Sequence, residues 1–174
     1  MFEGEILNQW GFAVRAFAIM NAALQQGDHE TSWFGMDAGL GALGNISKIF
    51  FPPGTRSQTQ RRGRQLRAAF GVALRDAYEH FDERIDQWFR QSPRRNFADR
   101  PIGPAGMIQG IDPGDMFRHF NPDTKAVSVV GDKLDLQALI NEVQTLVSRV
   151  AERHKVIWWD RSPDGAGDQP SFAG

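Results

Sequence analysis

The stretch Ser57–Gln91, SQTQRRGRQLRAAFGVALRDAYEHFDERIDQWFRQ, decides the fold. Within it Leu66, Phe70, Ala73, Leu74, Ala77, Phe81, Ile85 and Trp88 recur at steps of three and four residues. That spacing lays one apolar stripe along a helix and leaves charge on both sides of it. Ser92 and Pro93 end the helix, because proline has no amide donor and clashes with the preceding turn.

The same spacing extends upstream. Ile6, Trp10, Ala13, Val14, Phe17 and Leu24 predict a long helix from Glu5 to about Gln26 that stops near Gly27. A second helix is predicted to begin after Thr31 or Ser32 and to end at Phe51, since Pro52, Pro53 and Gly54 cannot continue it. Its Gly35, Gly39, Gly41 and Gly44 each cost roughly 1 kcal/mol against alanine, so close packing on a neighbouring helix is the expected compensation. The alternative, a phosphate-cradling loop, lacks the Lys-Ser/Thr that should follow.

Downstream, Asn96, Pro101, Gly103, Pro104, Gly106, Pro113 and Gly114 predict a long ordered loop. Met116–Phe120 and Lys125–Val130 read as a hairpin turned at Asn121, Pro122 and Asp123, with Gly131 and Asp132 sending the chain onward. Asp135 stands at the N-cap of a last helix carrying Leu136, Leu139, Ile140, Val143, Leu146, Val147 and Val150, which fades after His154. Trp158 and Trp159 are expected to dock on the bundle. The Pro, Gly, Asp and Ser composition of Arg161–Gly174 is that of a flexible tail. The expectation is a mainly α protein: one helical domain over residues 1–160, with a small β-hairpin inserted before the last helix, and a tail over 161–174.

At 174 residues the chain is long enough to bury a core without staples. The 41% hydrophobic and 24% charged composition is globular, and a net charge of −1 gives no global pull toward polyanions. No cysteine is present, which excludes disulfides, thiolate zinc sites and a cysteine nucleophile. No apolar run approaches the roughly 20 residues of a membrane span, and Glu3 and Glu5 replace the basic start of a signal peptide. A soluble, cytoplasmic protein without membrane contact is expected.

The chemistry is concentrated at Arg75, Asp76, Tyr78, Glu79 and His80. Histidine exchanges a proton near neutral pH, and arginine grips a phosphate with a two-pronged fork. On a straight helix Arg75 and His80 stand about 140° apart, on opposite edges of the stripe. One helix cannot aim both at one atom, so either a distortion or a second copy across a symmetry axis must gather them. Together they suit phosphodiester cleavage. Arg56, Arg61, Arg62, Arg64 and Arg67 crowd the approach to this segment and form a candidate surface for RNA phosphates. No aromatic residues alternate with these arginines, so base reading there has no support.

Arg75-Asp76-x-x-x-His80 resembles the signature of the HEPN superfamily, an Arg, then Asn, Asp or His, and a later His. The order of helices is similar too, including the exit Ile46-Ser47-Lys48-Ile49-Phe50-Phe51-Pro52, and the resemblance spans roughly residues 5 to 155. It implies an up-and-down helical bundle and a homodimer sharing the motif across a cleft. The implied activity is endoribonucleolytic cleavage without metal or cofactor, the RNA's own 2′-hydroxyl being the nucleophile. His80 would transfer the proton, Arg75 would stabilise the phosphate and Asp76 would orient one of them, with Tyr78 and Glu79 in support. A defence or toxin–antitoxin setting with a partner antitoxin follows from the resemblance alone.

Two other readings stay open: a non-catalytic HEPN-like dimerisation or partner-binding domain, and a small-molecule site beside the glycine-rich second helix. Plainer roles fit the remaining histidines. His29 stands beside a helix cap, His119 is expected on an exposed strand or loop, and His154 gains from a helix C-terminus. Asp112, Asp115 and His119 make a weak metal candidate, and no metal is expected.

Overall fold

In the computed structural model, which describes residues 2–50, 81–93, 95–104 and 106–154, α1 spans Phe2–Gln26 and α2 spans His29–Phe50. Gly27 takes the left-handed conformation, with φ 70°, that closes α1. Asp28 then opens α2 at once. Its Oδ1 accepts the Thr31 N–H at 3.0 Å, and its carbonyl accepts both the N–H and the hydroxyl of Ser32. The helix therefore starts three to four residues earlier than predicted, because the acceptor that caps it is Asp28 rather than Thr31 or Ser32.

Hydrogen bonds from Thr31, its hydroxyl foremost and its N–H second, hold the Asp28 carboxyl below its ordinary value of 3.8. A depressed folded-state value adds stability that is complete above the unfolded value and is lost as pH falls through the folded one. Asp28→Asn keeps the cap without the charge. Its stability in an acid titration should fall less steeply than that of the parent protein, and equal acid dependence would contradict this role of Asp28.

α1 and α2 pack antiparallel: Gln9 meets Asn45, Phe17 lies at Gly39, and Ala16 and Met20 lie at Gly35. The buried stripe of α1 is Ile6, Leu7, Trp10, Ala13, Ala16, Phe17, Met20 and Ala23, while α2 buries Trp33, Met36, Leu43 and Ile46. Val14 and Leu24, expected in the stripe, flank it half-buried. Close approach explains Gly35 and Gly39 but not Gly41 and Gly44, where a Cβ would meet nothing within 4 Å.

Of the long predicted helix 57–91, the described part is α3, Phe81–Gln91, and it ends where predicted, before Ser92 and Pro93. The loop that follows is not merely a connection. Residues 98–103 run parallel to the chain entering and forming β1, with bridges Ala98–Met116 and Ile102–Phe120. Backbone bonds run from Ala98 N to Asp115 O, from Arg100 N to Arg118 O and from Gly103 N to Phe120 O.

The predicted hairpin is a three-stranded antiparallel meander: β1 (Arg118–Asn121), β2 (Ala126–Val129) and β3 (Asp132–Asp135). Asn121 Oδ1 caps the first turn by accepting the N–H groups of Asp123 and Thr124. The second turn is Val130-Gly131, both with positive φ (47° and 89°), as a tight hairpin requires. β3 escaped the sequence reading because Asp-Lys-Leu-Asp offers a single inward apolar residue, Leu134. Register stacks Phe120, Val127 and Leu134 on one face, and all three are buried.

Asp135 ends β3 and caps α4, Leu136–His154, accepting the Ala138 N–H at 2.9 Å. The stripe Leu136, Leu139, Ile140, Val143, Val147 and Val150 is buried as predicted, with Leu146 half-buried. The chain divides into two compact units. One holds α1, α2 and α4 from Ile140 onward, and the other holds α3, the loop, the sheet and Leu136–Leu139. Trp158, Trp159 and the predicted tail lie outside the described residues. Among the described residues no helix is long and apolar enough to cross a membrane. The fold is mainly helical with a small antiparallel sheet.

Candidate functional site

Arg75, Asp76, Tyr78, Glu79 and His80 lie outside the described residues, as do Arg61, Arg62, Arg64 and Arg67. What is described is the helical segment from the next residue, Phe81, onward and the way it is held. Arg84 reaches Asp132 at 3.0 Å and ties the start of α3 to β3. At its other end Trp88 Nε1 donates to Asp115 Oδ1 at 2.7 Å, and the Ser92 hydroxyl donates to the same oxygen at 3.0 Å. Ser92 Oγ in turn accepts the Arg95 N–H at 3.2 Å. One buried carboxylate thus fixes the end of α3 and the first turn of the loop, and its charge strengthens both bonds.

An aromatic trio completes this clamp. Phe97 stacks on Phe117 with centroids 4.9 Å apart, and Trp88 meets both rings edge-on at 5.6 and 4.8 Å. Arg95 lies over the ring of Phe89, 4.3 Å from its centroid. Further along, Arg118 makes a two-pronged contact with Asp99, which also faces Arg100. These contacts hold the loop along β1.

His119 corrects the expectation of an exposed residue: it is 6% exposed. Its Nε2 donates to the Gly103 carbonyl at 2.8 Å, which leaves Nδ1 to accept from the Ser128 hydroxyl at 3.5 Å. Sequence placed it on a strand, and its burial comes with residues 98–103 running beside β1, which bring the Gly103 carbonyl to its ring. With both nitrogens engaged, His119 serves as a structural pin. The weak metal candidate fares no better. Asp115 is committed to Trp88 and Ser92, Asp112 is exposed, and among the described residues no three His, Asp or Glu side chains gather as a ligand set.

The sequence reading missed the arrangement at the end of α3, where Trp88, Phe89, Arg90, Arg95 and Phe97 sit on one continuous stretch. Its signal was the alternation of aromatic residues and arginines over 88–97, the pattern found wanting around Arg61–Arg67. Set against family models, curated proteins and solved structures, the chain matches none of them.

Proposed function

We propose that this protein is a HEPN-like, metal-independent endoribonuclease acting as a homodimer, with Arg75 and His80 as its catalytic pair. The observation that carries the reading is the sequence motif Arg75-Asp76-x-x-x-His80, read on the helical stripe 57–91 whose described part, Phe81–Gln91, is helical, in a mainly helical chain. In the proposed reaction the 2′-oxygen of RNA bonds to phosphorus as its proton leaves to a base, and the bond from phosphorus to the 5′-oxygen breaks as that oxygen gains a proton. His80 moves a proton in this exchange, and Arg75 neutralises the charge that builds on the phosphate oxygens. Asp76 orients one of the pair, Tyr78 and Glu79 support it, and Arg61, Arg62, Arg64 and Arg67 hold the RNA backbone. No cofactor takes part. A cytoplasmic defence or toxin–antitoxin role, with a cognate antitoxin as partner, belongs to the same proposal.

Incubation of the purified protein with mixed RNA in excess chelator tests it. Fragments with 2′,3′-cyclic phosphate ends are the expected product, and intact RNA would contradict the reading. A non-catalytic dimerisation or partner-binding domain is the second reading. It is favoured by Phe12, Ile19 and Phe34, large apolar side chains that α1 and α2 leave exposed.

A further inference from the structure

We propose that the end of α3 and the loop after it form a platform for single-stranded RNA, with Phe89 and Phe97 stacking on bases and Arg90 and Arg95 holding phosphates. The choice of RNA rests on the ribonuclease reading, while the platform itself is argued from this surface. Phe97 lies on Phe117 with its plane only 13° away, yet 54% of it is exposed. One side of the ring is thereby held on the protein and the rest is offered to solvent. Phe89 is 52% exposed and carries the Arg95 guanidinium over its ring.

Stacking favours rings that are already in place, because little freedom is then lost on binding. Trp88 supplies that order, braced edge-on against Phe97 and Phe117 and hydrogen-bonded to buried Asp115. The charge is also local. Glu83 and Asp86 border Arg90 on α3, and from 88 to 100 Arg90, Arg94, Arg95 and Arg100 stand in sequence against one carboxylate, Asp99, in a chain whose net charge is −1. That carboxylate is already engaged by Arg118. Flat exposed rings alternating with cations match a ligand that alternates flat bases with anions, whatever its sequence. Phe89 stands eight residues along α3 from Phe81, a rise of about 12 Å and a reach of a few nucleotides. His80 directly precedes Phe81 in the chain.

The test uses the full chain and a fluorescent 2′-O-methyl single strand of about 12 nucleotides, within the usual site size and lacking the hydroxyl needed for cleavage. Phe89→Ala and Phe97→Leu should each weaken its binding about tenfold. The leucine still covers Phe117, so a folded protein is retained. Arg90→Gln with Arg95→Gln should flatten the salt dependence of log Kd by about 0.7 for each phosphate no longer gripped. A strand bound by the parent protein with unchanged Kd and salt slope in all variants would overturn the platform, as would no binding at all. So would variants that alter subunit assembly in sedimentation while binding the strand normally, since the surface would then serve a protein. Cleavage of ordinary RNA is followed in parallel. Binding that obeys these variants without cleavage keeps the platform and sinks the ribonuclease reading, and cleavage with indifferent variants does the reverse.

Discussion

His80→Ala is expected to slow RNA cleavage in chelator by about 10²- to 10⁴-fold, the usual contribution of a positioned proton-transfer group. Arg75→Ala should cost about 10²- to 10³-fold, the range for losing one donor to a developing negative charge. The roles differ, and so should the profiles. Loss of the imidazole removes a limb from the pH–rate curve near neutrality, whereas loss of the guanidinium, charged at all accessible pH, lowers the curve without moving its limbs. Product analysis at several pH values reads both. Cleavage unchanged in the two variants would remove the motif from the chemistry and leave the partner-binding reading in place.

The second large effect is one of stability, and it changes sign within a single helix. A Cβ on Gly35 would lie 2.6 Å from the Ala16 carbonyl oxygen and 2.7 Å from the Met20 nitrogen, both backbone atoms that cannot turn aside. Gly35→Ala must push α1 and α2 apart, at about 1–3 kcal/mol for an overpacked contact, offset by the roughly 1 kcal/mol that alanine gains in a helix. Net destabilisation is expected. At Gly39 the obstacle is the Phe17 ring at 2.5 Å, a buried side chain with little room to shift. Gly41→Ala and Gly44→Ala meet open space, so they should gain up to about 1 kcal/mol. Urea denaturation of the four variants checks this pattern, and a uniform effect would contradict it.

How far the sequence was legible follows from how each element is stabilised. α4 was read correctly because its stripe repeats over nineteen residues and Asp135 supplies an unmistakable cap. α2 was placed correctly in the middle and wrongly at its start. Asp28, Thr31 and Ser32 are all capping residues, and only the geometry shows which oxygen accepts. The third strand could not be found from Asp132-Lys133-Leu134-Asp135, since a strand that short is defined by its neighbour's hydrogen bonds rather than by alternation. His119 illustrates the same limit. A residue on a short strand is exposed or buried according to what packs around it, and here residues 98–103, read as loop, run beside β1 and bring the Gly103 carbonyl to the ring. The catalytic candidates Arg75 and His80 remain a reading of sequence pattern. The aromatic and arginine surface at the end of α3 depends on the bond from Trp88 to Asp115, a contact between residues far apart in sequence that no local pattern encodes.

The most direct measurement mixes two inactive proteins. Arg75→Ala and His80→Ala chains, unfolded together and refolded, should form mixed dimers in half of the population. Each mixed dimer holds one site with the arginine of one subunit and the histidine of the other intact, so about a quarter of the parental activity should return. A mixture as inactive as its components, with mixed dimers confirmed by mass, would contradict the proposal that two subunits bring these groups together.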